Sequence, residues 1–293
     1  MSESDEEPNA MDPISTAVGT QIAQAGGGVL ARLLGPLADE WGQELLNRYR
    51  NRNVKRVVDR ADEKSENGTI PLRVAAEVFD KAQWADDEFI AEYLSGVLAG
   101  ARTPSGADDR GVSWTALIGR MSSDQLRLHY ILCRAFRDHV LADPTVLRYG
   151  RPVEPDQVTI SDHFADTLVV NMDDVKVAIA GEAAPDETVH SRVVDALYGL
   201  DAEKLVESGS LGTGQWLNSS PDNTQTYPDW NLFTVNITLR GARLAMQAAG
   251  LGDVWPIALT DDADNPLDRI SITDPIPPVR TVRESSLPGV QRS

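Results

Sequence analysis

The chain has 293 residues, 41% of them hydrophobic, and carries 45 acidic against 27 basic side chains for a formal net charge of -18. That length and composition supply a core for one large or two modest domains, while a field of this sign opposes long-range approach to nucleic acid or anionic membrane. Cys133 is the single cysteine, which excludes an intramolecular disulfide, and the acidic start MSESDEEPNA is unlike the basic start of a signal peptide, so a cytoplasmic protein is expected.

Residues 1–12 are polar and acidic and read as a disordered arm. Asp12-Pro13 has the form of an N-cap with a first-turn proline, and Ile14, Val18, Ile22, Ala25, Val29 and Leu33 follow at helical spacing. Gly26, Gly27 and Gly28 interrupt this stripe at a cost of roughly 3 kcal/mol in helix propensity, so the helix needs a partner surface or bends there. A second helix begins at Gly35-Pro36 with Leu37, Trp41, Leu45 and Tyr49 on one stripe. Its apolar set then moves to Val54, Val57, Val58 and Ala61, which predicts a kink or a change of packing partner near 47–53.

Pro71 opens a helix with Leu72, Ala75, Val78, Phe79 and Ala82 inward. Asp86-Asp87-Glu88 then place negative charge at the start of the next helix, where the macrodipole favours it. That helix carries Phe89, Ile90, Tyr93, Leu94, Val97, Leu98 and Ala101 on one face, and its thin end at Gly96, Ala99 and Gly100 allows close helix approach. After the turn-rich Arg102–Val112 loop, Ser113 is expected to cap a short helix bearing Trp114, Leu117, Ile118 and Met121. Ser122 with Gln125 forms a capping box for a long helix with Leu126, Tyr130, Cys133, Phe136 and Val140 inward, ended by Asp143-Pro144.

Residues 146–185 read as a linker or irregular crossing, in which Thr167–Asn171 and Val175–Ile179 fit either short strands or a further helix. Asp186 is expected to cap a helix with Val189, Val193, Val194 and Leu197. A short helical run over Ala202–Glu207 follows, then a β-hairpin of Gln215–Asn218 and Leu232–Ile237, then a closing helix Leu239–Ala249 capped by Thr238. Residues 186–260 thus read as a winged-helix-like module, and 261–293 as a flexible tail rich in Asp, Pro and Ser. The expected fold class is mainly α: a multi-helical N-terminal domain over 13–145, then a small winged-helix-like α+β module with a β-hairpin.

Three stretches of the helical block resemble the abortive-infection alpha (Abi-alpha) family of prokaryotic proteins. They are GPLADEWGQELLNRYRNRN, PLRVAAEVFDKAQWADDEFIAEYLSGVLAGAR and MSSDQLRLHYIL, joined near the C-terminus by TLRGARLAMQAAG, where Ile237-Thr238 stands in place of the family's Leu-Thr. The likeness covers roughly half of the chain. It implies a context, anti-phage defence, and no reaction.

The densest positive charge is NRYRNRNVKRVVDR. Arg48, Arg52, Lys55, Arg56 and Arg60 fall within an arc of about 140° on a helix and form the candidate surface for an anion or a partner. The alternative is an exposed face that offsets acidic helices of the same chain. The winged-helix-like module invites a DNA-binding reading, which its charges oppose: Arg192, Lys204, Arg240 and Arg243 stand against Asp186, Glu187, Asp195, Asp201, Glu203, Glu207, Asp222 and Asp229, a balance of -4. Ile14–Ala31 is uncharged but too rich in Ser, Thr and Gln for a membrane span, which leaves membrane contact a minor alternative.

His129 and Cys133, four apart on one helix, lack a third ligand or an orienting acid, so a packed His and a buried Cys are expected. Asp162, His163, Asp166, Asp173 and Asp174 form the one acidic cluster with a histidine, at a spacing that fits no metal loop. Gly209–Gly214 lacks the Lys and long helix of a nucleotide loop and reads as a turn, and Asp108-Asp109-Arg110 as loop-internal ion pairs. No cofactor, metal or catalytic set is assigned. The expected function is a non-enzymatic interaction protein with a protein partner or a second copy, in phage defence. A DNA-binding regulator and a membrane-active effector are the alternatives.

Overall fold

The computed structural model describes residues 39–65, 68–147, 152–154, 157–158, 164–180 and 187–289. The acidic arm, the Ile14–Ala31 stripe with its three glycines, Leu37, Asp162, His163 and the Asp186 cap lie outside the described residues. Within them the chain is mainly helical, with nine α-helices and a four-stranded antiparallel sheet.

Helix α1 (Asp39–Lys64) runs unbroken through 47–53. The shift of its apolar face follows a change of partner: buried Asn53 donates to the Gln83 carbonyl at 3.2 Å, and the Arg50 guanidinium lies 4.6 Å from the Trp84 ring centroid. Val57 and Ala61 then enter the core. In α2 (Leu72–Ala82) the buried positions are Val74, Val78 and Ala82. Leu72, expected inward, is the first helical residue and is 63% exposed, because the buried stripe starts two residues later, at Val74.

Helix α3 (Glu88–Gly100) begins with Asp87 accepting the backbone N–H of Phe89 at 2.8 Å. It is buried on all sides rather than along one face: Ala91, Glu92, Ser95 and Ala99 are enclosed together with Phe89, Tyr93, Leu94, Val97 and Leu98. Such a helix sits at the centre of a fold, and α3 contacts α1, α2, α4 (Gly111–Ile118), α5 (Ser123–Ala142) and α9 (Leu239–Ala248). The thin end has the expected use: a Cβ on Gly96 would lie 2.0 Å from the Ala248 carbonyl oxygen of α9. Helix α4 starts two residues before Ser113, which sits within it rather than capping it. The capping box of α5 is formed in both directions, Gln125 N to Ser122 Oγ at 3.2 Å and Ser122 N to Gln125 Oε1 at 2.6 Å.

Beyond a short ladder of β1 (Pro152–Glu154) with β2 (Gln157–Val158), the region expected to be a linker contributes both alternatives in turn. Strand β3 (Leu168–Asn171) is fully buried, and helix α6 (Met172–Ala180) follows at once, with the Asn171 side chain accepting the Asp174 N–H at 3.0 Å. Helix α7 (Glu187–Ala202) leads into strand β4 (Val206–Thr213), a short helix α8 (Gly214–Ser219), strand β5 (Asn231–Ile237) and α9. Three expectations are corrected here. Ala202–Glu207 is not a helix, because Lys204 turns to φ +58 and Val206 pairs with Ile237. Gln215–Asn218 is helical, with Thr213 accepting the Trp216 N–H. The Gly209–Gly214 stretch is mostly strand, bulged between Ser208 and Leu211, rather than a turn. Thr238 caps α9 as expected.

The C-terminal segment is also corrected, since residues 261–289 are built into the fold rather than trailing from it. Leu267 and Ile270 are buried, and strand β6 (Thr281–Arg283) pairs with β3 to complete the sheet order β4-β5-β3-β6. Its polar composition hid this because a few apolar anchors and ion pairs hold it: Arg280 chelates Asp174 at 2.8 Å, which drives that carboxyl below its usual pKa. A single hydrophobic cluster runs from Val57 to Ile270, through both regions that the sequence separated.

Candidate functional site

The Arg-rich surface of α1 is divided by the fold. Arg56 donates to the Ala85 carbonyl. Arg60 Nη1 lies 2.8 Å from Glu92 and Lys64 Nζ 2.6 Å from the same carboxylate, which is fully buried and also accepts the Ser271 N–H at 3.0 Å. Arg60 and Glu92 attract at that range but are off-axis for a hydrogen bond, so one carboxylate oxygen has charge compensation without a donor. Glu88 pairs with Arg60 at 3.3 Å; burial works to raise its pKa, and the Thr273 hydroxyl and N–H with Arg60 outweigh it, leaving it lowered. Lys55 pairs with Asp59 at 2.7 Å, and Arg52 lies over Tyr49. Arg48, Arg52 and Lys55 are the members that stay exposed. Two of the five candidate residues, Arg56 and Arg60, are therefore used to lock α1 to the start of α3, and Lys64 extends that lock to the C-terminal segment.

His129 and Cys133 are enclosed in the core. The His129 Nε2–H donates to the Gly241 carbonyl at 3.0 Å, and Nδ1 accepts from the Tyr93 hydroxyl at 2.7 Å, an arrangement that requires the neutral imidazole. Burial lowers its pKa to about 4, and burial likewise pushes the Cys133 thiol up. Cys133 Sγ is 3.6 Å from Nε2, too buried and too protonated for a nucleophile. Asp173 and Asp174 are committed to Lys176 and Arg280, and the described residues contain no group of His, Cys, Asp and Glu placed for a metal. Asp108 and Arg110 pair as expected, while Asp109 reaches outside the loop to Arg73 at 3.1 Å and Arg110 also meets Asp253.

A cleft of about 930 Å³ opens between α4, the turn after α7 and the start of α9. Trp114, Val206 and Leu239 line it with Arg110, Lys204, Arg240 and Arg243, against Asp201 and Glu207. Its volume is within the range of small-ligand sites. Arg110 is held by Asp108 and Asp253, whereas Lys204, Arg240 and Arg243 make no ion pair among the described residues. The Arg243 guanidinium lies 5.8 Å from the ring centroid of Trp255, itself 61% exposed.

The geometry of this rim is set by one turn. Leu205 N–H bonds back to the Leu200 carbonyl and Lys204 N–H to the Asp201 carbonyl, both at 2.9 Å, which is the Schellman closure of a helix C-terminus. The position that usually holds glycine holds Lys204, the one non-glycine residue with positive φ among those described. The Thr238 hydroxyl donates to the Lys204 carbonyl at 2.7 Å, and a Cβ on Gly241 would lie 2.1 Å from the Leu205 oxygen, so α9 sits directly on the turn. His129, itself bonded to Tyr93, holds the Gly241 carbonyl from behind. In the sequence, Lys204, Arg240 and Arg243 stand out only as charges of an acidic module. A lysine at a helix's glycine position was the available signal, and it was masked by reading Ala202–Glu207 as helix.

Comparison with protein-family models, with characterised proteins and with solved structures finds no match. No described helix is long and apolar enough to cross a membrane.

Proposed function

We propose that this chain is a non-enzymatic interaction protein of prokaryotic anti-phage defence and that it engages an anionic partner through the cleft beside Lys204, Arg240 and Arg243. The observation that carries the reading is the rim. Three cations that form no ion pair among the described residues line one concavity in a chain of net charge -18, with Glu203 near Arg240 and with Asp201 and Glu207 in the same lining. An acidic exterior around a local positive cleft steers an anion to that place and away from others. The interaction role is supported by the use of His129 and Cys133 as buried, neutral packing groups. The defence context rests on the resemblance of Gly35–Val140 to the Abi-alpha family. A winged-helix-like layout of 186–260 is supported by element order alone, α7, β4, β5 and α9, with β3 and β6 widening the sheet beyond a wing.

The test is a phage-plating assay in a host that expresses the chain, comparing wild type with Arg240→Glu/Arg243→Glu at matched protein level. The proposal expects protection with wild type and its loss in the variant. Equal protection by both contradicts the cleft, and no protection by wild type contradicts the defence context.

A further inference from the structure

We infer that the anionic group accepted by this cleft is the phosphate of a nucleotide, whose base lies against Trp114. The inference rests on the proposed function and names the ligand class of the same site. Four features of the cleft point there together. Its cations come from separate segments and include two arginines of one helix, Arg240 and Arg243, three residues apart and suited to forked contact with phosphate oxygens. Its wall is apolar and aromatic, with the half-buried Trp114 beside Val206 and Leu239, a surface that an inorganic anion would leave unused and a flat base would cover.

Asp201 and Glu207 share the lining with the cations. Two carboxylates weaken the site for bare phosphate, but Asp201, which spends one oxygen on the Ser208 N–H, keeps a second as an acceptor for a ribose hydroxyl or base amino group, so a ligand with anionic and hydrogen-donating ends suits the lining. Finally, Lys204 occupies a left-handed backbone position that costs a lysine and would suit glycine. Strained residues of this kind concentrate at ligand-holding sites. The volume of about 930 Å³ accommodates a single small ligand, and the overall charge of -18 opposes a long polyanion such as duplex DNA.

The experiment is isothermal titration of the full chain with ATP, GTP, inorganic pyrophosphate and a hexaglutamate peptide. The expected result is one nucleotide site, with pyrophosphate at least tenfold weaker. Trp114→Ala should weaken nucleotide binding about tenfold with little change for pyrophosphate, and Trp114→Phe should restore it. Arg243→Gln, at a half-buried position outside the hydrophobic cluster, should weaken both. Absence of nucleotide binding at millimolar concentration overturns the inference, as does equal affinity for ATP and pyrophosphate or indifference to both Trp114→Ala and Arg243→Gln. Hexaglutamate binding lost in Arg243→Gln, without nucleotide binding, overturns the nucleotide and leaves the proposed function standing. Binding of neither probe overturns both.

Discussion

Lys204→Gly should make the protein more stable and less able to bind. At φ +58 the lysine Cβ crowds the following carbonyl, a cost of about 1–2 kcal/mol for an L-residue. Glycine removes that cost but returns about 0.4–1 kcal/mol through the extra freedom of the unfolded chain. The net expectation is a gain of about 0.5–1 kcal/mol, since the Schellman bonds from Leu205 and Lys204 are backbone groups and survive the change. For a chain of this size the gain corresponds to a rise in Tm of roughly 1–3 °C. Urea titration should move the midpoint upward at constant m. Lys204→Gln separates the two effects: it keeps the strained backbone and discards the charge, so it should lose binding at unchanged stability. A lower midpoint for Lys204→Gly would refute the reasoning, because the lysine side chain would then be stabilising the turn. Unchanged binding in Lys204→Gln would show that its charge faces nothing that matters.

Three further outcomes follow from the packing. Gly96→Ala forces α3 away from the Ala248 carbonyl and should destabilise by about 1–3 kcal/mol or more, read as a lowered urea midpoint. Glu92→Ala leaves Lys64 and Arg60 facing each other in a nearly closed site and should cost about 3–5 kcal/mol, with Lys64→Met in the same chain recovering part of it. For His129 the folded pKa of about 4 lies below the ordinary 6.5, so the unfolded chain binds the extra proton between these values. Stability should therefore fall as pH drops through that window, by about 3 kcal/mol in all from this group, and His129→Gln should flatten that part of the profile.

The helical half was legible because local signals and burial agree there. The acidic run Asp86-Asp87-Glu88 falls at a helix start, where Asp87 is the cap, the Ser122–Gln125 box caps the helix it was expected to cap, and Leu126, Tyr130, Cys133, Phe136 and Val140 are buried as spaced. Legibility failed where a tertiary partner decides. Ser208–Thr213 is rich in Gly, Ser and Thr and takes strand form only because β5 lies beside it. The C-terminal segment has few apolar residues and is held by β3 and by Asp174. The cleft was not legible at all: Trp114, Lys204 and Arg243 are far apart in the chain, and nothing in their local pattern states that α4, the α7 turn and α9 meet. The Arg-rich helix was visible because its charges are contiguous, yet Arg56 and Arg60 are consumed by Ala85 and Glu92, partners that only folding supplies.

The most direct measurement compares two double variants, Arg240→Glu/Arg243→Glu in the cleft and Arg52→Glu/Lys55→Glu on α1, by titration with ATP and hexaglutamate. The account predicts at least a tenfold loss of affinity for the bound probe in the cleft variant and no more than a twofold change in the α1 variant. A loss confined to the α1 variant would contradict it and return the partner surface to Arg48, Arg52 and Lys55.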